Sequence, residues 1–331
     1  MKKLFQKDLL AWYQVHKRPL SFRENKDAYS IWISEIMAQQ TRIEAMLEYH
    51  SRFLKVLPTM KDLANCDEEK LHKLWQGLGY YSRVRNMKKC AQICMEEYDG
   101  KLPTTKKELM NLPGIGAYTA GAIASIAYDE NVSAVDGNVI RVFSRLYNIE
   151  EDMTKSVSKK HVETLVEASL PGSSYISDFN QALMELGALV CIPQNPRCEL
   201  CPIQKYCEAK EPSKLPVMIK KKKKKIENKM IYIWAYADKI RVVKRPSTGL
   251  LANLYGFDEK RPDSIVSSVQ LQSYTHIFSH VEWHMDACLV FTESVDENYY
   301  SLDEIKESIA IPSAFLPFLE EIEKERLLWQ K

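Results

Sequence analysis

The chain has 331 residues, enough for two domains at roughly 150 residues each, and its 45% apolar and 27% charged content excludes wholesale disorder. No apolar run approaches the ~18–20 residues of a membrane span, and Gln6, Lys7 and Asp8 interrupt any secretory core, so a cytoplasmic location without a membrane partner is expected. In that compartment the eight cysteines are not expected to pair as disulfides, and a cluster of them points to metal or catalysis.

The formal net charge of +2 conceals an asymmetry. Met230–Lys331 holds 10 basic and 16 acidic side chains, whereas the residues before it hold 36 basic and 28 acidic. A surface for a polyanion is therefore expected in the first two-thirds of the chain.

Apolar residues recur at three- and four-residue spacing over Phe5–Val15, Tyr29–Gln40, Arg42–Val56, Glu68–Gln76 and Ser82–Tyr98, which predicts helices. The same spacing predicts helices over Ala117–Tyr128, Val139–Tyr147, Lys159–Ser169 and Ser174–Val190. Leu57-Pro58-Thr59, Gly100–Thr105 and Leu112–Gly116 punctuate them. Strand-like alternation is nearly absent, so residues 1–219 are expected to form an all-α domain. The run Lys220–Lys225 opens a lysine-rich linker over 220–229, read as a solvated tether or as an arm touching phosphates.

Beyond it the period changes. Met230–Ala237 and Ile240–Val243 are predicted as partner strands. Val281, Trp283, Met285, Ala287 and Leu289 alternate with Glu282, His284 and Asp286, the pattern of a half-buried strand. Glu304–Ile309 and Ala314–Leu328 are predicted helical. The expectation is a mainly α chain, with a helical domain followed by an α+β domain over 230–331.

Cys191, Cys198, Cys201 and Cys207 are spaced C-x6-C-x2-C-x5-C. Four thiolates in so short a loop can close an all-thiolate site, and the spacing alone fits zinc and a [4Fe–4S] cluster equally. Arg197, Lys205 and Lys210 flank the loop and can direct it at a phosphate backbone. The scattered Cys66, Cys90, Cys94 and Cys288 read as core residues.

Leu112-Pro113-Gly114-Ile115-Gly116 joins two short predicted helices. Gly114 and Gly116 let the backbone turn tightly and present bare amides at the positive end of the helix starting at Ala117, a nest suited to a phosphate diester whatever its base. Twenty residues after Gly116, Asp136 stands where a helix begins. It is either a helix cap or a carboxylate at a reacting centre.

The hairpin, Asp136 and the cysteine spacing together resemble the helix-hairpin-helix DNA glycosylases of the endonuclease III superfamily. Ile33–Thr41 (ISEIMAQQT) is similar to the SEVMLQQT segment of the adenine DNA glycosylase (MutY) branch. Gly79–Asn86, Gly249–Gly256 and Phe278-Ser279-His280 match the same branch, so the resemblance spans nearly the whole chain. It implies one [4Fe–4S] cluster on the four cysteines, the helix-hairpin-helix motif over 112–128 and the cluster loop over 191–207. It further implies, as partner, double-stranded DNA carrying adenine opposite 8-oxoguanine or guanine, and a monomer working at the nucleoid.

Lyase-competent members of the superfamily carry a Schiff-base lysine two residues beyond the second hairpin glycine. Tyr118 occupies that position here and cannot form an imine, so the resemblance implies a monofunctional glycosylase in base excision repair. The alternative on the same fold is an endonuclease III-like glycosylase/lyase acting on oxidised pyrimidines; Tyr118 and the second domain oppose it.

The resemblance also assigns residues. Glu35 would protonate adenine at N7, Asp136 would stabilise the oxocarbenium-like sugar, and Tyr118 would hydrogen-bond near Asp136 or the sugar. Gln40, Thr41, Tyr80, Arg83, Gly114 and Gly116 would contact DNA, with Gln40 and Tyr80 entering the duplex beside the flipped base. Arg18 and Arg23 would line the adenine pocket. The C-terminal domain resembles a MutT-like (Nudix) fold without the glutamate-rich Nudix box, and would read 8-oxoguanine through Phe278, Ser279 and His280. Phe22 in place of the usual Trp, Ser21 in place of Pro and Ala38 in place of Leu depart from the branch, and Ala38 bears on how the wedge fits between bases.

Overall fold

A computed structural model describes residues 4–23, 26–219, 224–293 and 296–325. In chain order its first helices are α1 (Phe5–His16), α2 (Ala28–Ala38), α3 (Ile43–Val56), α4 (Met60–Asn65), α5 (Glu68–Trp75), α6 (Ser82–Glu97) and α7 (Lys106–Leu109). They are followed by α8 (Ala117–Ala127), α9 (Gly137–Leu146), α10 (Ser156–Glu167) and α11 (Ile176–Leu189). The nine predicted helices are all present. The unpredicted α4 and α7 are too short to show a 3.6-residue period.

Contacts divide the chain into two compact units, one made of Met1–Asn65 with Asn86–Lys221, the other of Cys66–Arg85 with Lys222–Lys331. The first is helical. At its centre α2 packs on α8, and α11 packs on α1, α8 and α9. Tyr29–Met37 of α2 are buried without interruption, as in a helix that is surrounded, and Asp27 caps it by accepting from the Tyr29 and Ser30 amides. On α8 a run of small residues admits close neighbours: a Cβ at Gly121 would lie 2.1 Å from the Ser133 carbonyl oxygen.

The second unit carries β1 (Lys225–Tyr236), β2 (Lys239–Arg241), β3 (Val243–Lys244), β4 (Tyr255–Gly256), β5 (Ser267–Gln270), β6 (Tyr274–Ile277), β7 (Val281–Phe291) and β8 (Tyr299–Ser301), then α12 (Leu302–Ser308) and α13 (Leu316–Glu325). The order of the main sheet is β5-β7-β1-β2-β8, with β6 also on β7 and β3–β4 as a separate pair. β1 runs parallel to β7 from Lys225↔Val281 to Ala235↔Phe291. Ile231 and Ile233 of β1, Trp283, Met285 and Leu289 of β7, and Phe318 and Ile322 of α13 share one core.

Two expectations change. The linker predicted over 220–229 is already strand from Lys225, because pairing with β7 satisfies the backbone of a polar stretch; Lys220–Lys223 lie outside the described residues. The split at 219/230 also misses Cys66–Arg85, which joins the later unit because Glu69, Lys73, Gln76 and Arg85 bond to its strands, loops and helices. Strands β5 and β6 escaped prediction because β5 is exposed along its length and carries no alternation.

Candidate active site

Glu35 is borne by α2 and is only 9% exposed. The Tyr118 hydroxyl, in the first turn of α8, donates to Glu35 Oε2 and lies 3.6 Å from Met184 Sδ. The partner expected for Tyr118 near Asp136 is therefore replaced by Glu35, which the packing of α8 on α2 brings within reach. Asp136 precedes α9 and caps it, accepting from the Val139 amide at 2.8 Å and from Asn138 Nδ2 at 2.7 Å. Both carboxyls line one cleft of about 730 Å³, together with Arg18, Gln40, Thr41 and Tyr118. Asp136 is thus a helix cap that also lines the cleft.

Asp136 is half-buried, and burial pushes its carboxyl above the usual carboxylate range, against the hydrogen bonds from Val139 and Asn138 and the nearby Arg141 charge. Asn138 is held in turn: Arg141 Nη2 donates to Asn138 Oδ1 and to the Gly187 carbonyl, both at 2.8 Å. Arg141 Nε reaches the carbonyl of Cys191 at 2.8 Å. Arg145, 1% exposed, donates to Cys191 Sγ at 3.3 Å and to the carbonyls of Ile192, Pro193 and Leu215 at 2.8, 2.9 and 3.0 Å. One arginine framing the Cys191, Ile192 and Pro193 carbonyls and the Cys191 sulfur fixes the start of the cysteine loop.

The hairpin between α7 and α8 turns as the glycines predict. Gly114 has φ +78°, and a Cβ there would lie 2.8 Å from Asn86 Cβ; Gly116 is extended and opens α8 with its amides uncapped by any side chain. Gln40, exposed just past α2, takes a left-handed φ of +61°, and Thr41 beside it is half-buried.

Two of the expected site arginines are tied within the chain. Arg18 lines the cleft, but its guanidinium is engaged by Glu185, with Nε–Oε1 at 2.7 Å and Nη2–Oε2 at 3.1 Å, because a wholly buried carboxylate needs its counter-charge. Arg83 donates to the carbonyls of Leu78 at 2.8 Å and Gly79 at 3.2 Å and lies over the rings of Trp75 and Tyr80; burial lowers its pKa to about 10. These bonds brace the Tyr80 turn. The side chain of Arg23 lies outside the described residues.

Within the second unit, a pocket of about 420 Å³ brings Tyr80 together with Phe278, Ser279 and His280. Phe278–Val281 is the turn between β6 and β7, closed by the Phe278 amide on the Val281 carbonyl at 2.9 Å. The Phe278 ring is seated edge-on against His276 and Trp283, at centroid distances of 4.6 and 4.9 Å. Ser279 Oγ and His280 Nδ1 stand 3.2 Å apart and are exposed.

A family model described as HhH-GPD superfamily base excision DNA repair protein matches residues 33–168, and one described as the iron–sulfur binding domain of endonuclease III matches 191–207. The adenine DNA glycosylase of Buchnera aphidicola subsp. Baizongia pistaciae is 31% identical over 348 residues, covering 97% of each chain. The chain belongs to the adenine DNA glycosylase family. The rat adenine DNA glycosylase is 44% identical over 218 residues, covering 62% of this chain and 41% of the rat protein, so the match spans about two fifths of that longer relative. A solved structure of a thermostable thymine-DNA glycosylase superposes with a TM-score of 0.55 at 27% identity, covering 62% of this chain and 95% of the other.

In this family member the donor set fits an iron–sulfur cluster. The four loop cysteines are free thiols, and burial together with the neighbouring Cys191, Cys207 and Cys198 pushes the Cys201 thiol up to about 11. Iron reverses that mutual repulsion by binding all four as thiolates. Among the described residues no three His, Cys, Asp or Glu side chains converge on a point that a single ion would occupy. Lys205, expected to flank the loop toward phosphate, pairs instead with Asp8 at 2.9 Å.

Three residues of the cleft, Asn138, Arg141 and Glu185, were given no role from the sequence, and Gln181 was noted there without one. Gln181 is 6% exposed, lines a recess with Glu35 and Met184, and has an amide oxygen without a hydrogen-bond partner. An unpaired buried amide oxygen of this kind costs about 1–3 kcal/mol unless something pairs with it. Burial of a Gln or Glu on a strongly apolar helix was the only sequence signal, and α11 hides it among ordinary helix formers.

Proposed function

We propose that the chain is a monofunctional adenine DNA glycosylase that flips adenine out of A:8-oxoguanine and A:G mispairs in duplex DNA and hydrolyses its N-glycosidic bond. The observation that carries this reading is the shared cleft, with a buried, phenol-bonded Glu35 and a half-buried Asp136 on separate helices facing one space. Expelling adenine needs an acid at the base and an anion at the sugar, and these two carboxyls divide that work. Glu35 holds a proton for N7, with Tyr118 orienting it, and Asp136 stabilises the developing oxocarbenium charge. The orphaned Gln181 carbonyl supplies an acceptor for the exocyclic amino group of adenine. Arg18 holds the neighbouring Glu185 carboxylate through a bidentate pair.

On this reading the hairpin amides of Gly114 and Gly116 hold the DNA backbone, while Gln40 and Thr41 at the cleft mouth and Tyr80 at the reading pocket meet the bases. The second unit is a MutT-like domain that uses Phe278, Ser279 and His280 to tell 8-oxoguanine from guanine, and the enzyme works as a monomer on one lesion. The cluster held by Cys191, Cys198, Cys201 and Cys207 cross-links the loop that Arg141 and Arg145 tie to the cleft.

Duplexes with adenine opposite 8-oxoguanine, adenine opposite guanine, or thymine glycol test the reading. Strand scission is expected at adenine only, and only after alkali. Scission at thymine glycol, or borohydride trapping at a lyase's level, overturns it.

A further inference from the structure

Cys66–Arg85 lies in sequence between helices of the first unit, yet it packs with Lys222–Lys331. Its ties there are polar and directional. Lys73 Nζ donates to the carbonyls of Ile305 at 3.1 Å and Ile309 at 3.0 Å, at the C-terminal end of α12. A cation at that end adds a second donor to the Ile305 carbonyl, which already accepts from the Ile309 amide, and meets the negative pole of the helix dipole. Gln76 Nε2 donates to the Ile311 carbonyl at 3.2 Å, and the Tyr255 hydroxyl donates to Glu69 Oε1 at 2.7 Å. Lys73 is half-buried, and burial lowers its pKa, an environment that a lysine serving only solubility avoids.

From this anchor the path to Tyr80 is short and stiff. α5 ends at Trp75, whose Nε1 donates to the Gly79 carbonyl at 3.0 Å. Gly77 and Gly79 take φ of +99° and +65°, and Tyr80 itself is left-handed at +47°. A large side chain holds that conformation only where its surroundings enforce it, and Arg83 enforces it through Leu78 and Gly79. On the facing wall of the same pocket Leu251 is also left-handed, at φ +61°, and Arg85 Nη1 donates to the next carbonyl, Ala252, at 3.2 Å. Where Tyr80 stands in the pocket is therefore set by where α5 ends, and α5 is set by the end of α12.

We propose that Lys73, with Gln76 beside it, is a positioning residue for lesion discrimination: by fastening α5 to the C-terminal end of α12 it fixes Tyr80 against the Phe278–His280 turn, so that the pocket prefers an oxidised purine, with its N7–H donor and O8 acceptor, over guanine. The inference rests on the pocket's role as lesion reader given above.

The test uses the full-length protein and single-turnover excision of adenine opposite 8-oxoguanine and opposite guanine. A wild-type protein that excises both equally overturns the lesion-reading role and the inference with it. In a wild type that discriminates, Lys73→Met is expected to lower the rate ratio by about tenfold, about 1.4 kcal/mol. Lys73→Arg, which still donates to two carbonyls, restores most of the ratio. Lys70→Met removes an exposed charge from the same helix and keeps the wild-type ratio. An unchanged ratio in Lys73→Met, an equal loss in Lys70→Met, or an equal fall of both rates without a change of ratio overturns the positioning role. Should Lys73→Met fail to fold, Gln76→Ala carries the same test, with an expected fall of about threefold.

Discussion

The cleft and the reading pocket are built from opposite materials. The cleft takes its polar groups from helices: Glu35 from α2, Tyr118 from α8 and Asp136 from the cap of α9. The pocket takes its groups from turns, with Gly77, Gly79, Tyr80, Gly249 and Leu251 all at positive φ. Proton transfer tolerates little error in position, and helices packed on one another hold side chains to within about 0.5 Å. A surface that meets a base inside a duplex needs reach and shape, which turns supply once hydrogen bonds such as those of Arg83 and Arg85 pin them. On the proposed reading, chemistry and discrimination would therefore respond to different substitutions.

The sharpest way to break that division is Glu35→Gln. The amide keeps the size of the acid and can still accept from Tyr118, yet it has no proton for N7, so excision opposite 8-oxoguanine is expected to fall by about 10²–10⁴. Affinity for the same duplex, read by fluorescence anisotropy, stays within a few-fold. Near-normal excision would move the acid role to another residue.

Cys198→Ser attacks the cleft from the far side. It removes one thiolate, is expected to bleach the cluster's absorbance near ~400 nm, a band that zinc lacks, and loosens the loop on which Arg141 and Arg145 converge. Because that network ends at Asn138 and Asp136, excision should drop on both mispairs alike, by about tenfold or more, with their ratio unchanged. A changed ratio would show that the loop also serves discrimination. The double substitution Ser279→Ala with His280→Ala is the converse case: the ratio falls about tenfold, since a hydrogen-bonded base contact is worth about 1–3 kcal/mol.

How far the sequence foretold this division also differs between the two regions. The helices and the cysteine loop were legible because periodicity and motif spacing are local, whereas the roles of Glu35 and Asp136 came only through the family resemblance. Cys66–Arg85 was not, since its allegiance rests on bonds such as Lys73 to Ile305, 232 residues away. Tyr118 was legible as the residue replacing a lysine, but its bond to Glu35 spans 83 residues and depends on how α8 crosses α2. The fates of Arg18 and Arg83 were hidden for the same reason: a guanidinium reads alike in sequence whether it meets a phosphate, a buried Glu185 or a turn's carbonyls.

The smallest expected effect is also the most specific, because it concerns one carboxyl. Asp136 is lifted by burial and lowered by its bonds to Val139 and Asn138. Only its ionised form can stabilise a cation, so the acid limb of the excision rate reports its pKa. Asn138→Ala removes one of the opposing bonds and should move that limb to higher pH, with a smaller loss of rate well above it. The sign for stability follows from the same shift. A carboxyl with a folded pKa above its unfolded value of about 3.9 destabilises the fold above the folded pKa, and the penalty fades as pH falls through it. Asp136→Asn keeps a capping side chain and abolishes the charge, so its Tm should exceed that of the wild type most at neutral pH, with the gap closing toward pH ~4. Thermal melts across that range check it. A gap that widens on acidification would mean that the two hydrogen bonds outweigh burial, and that Asp136 is held as a structural anion first.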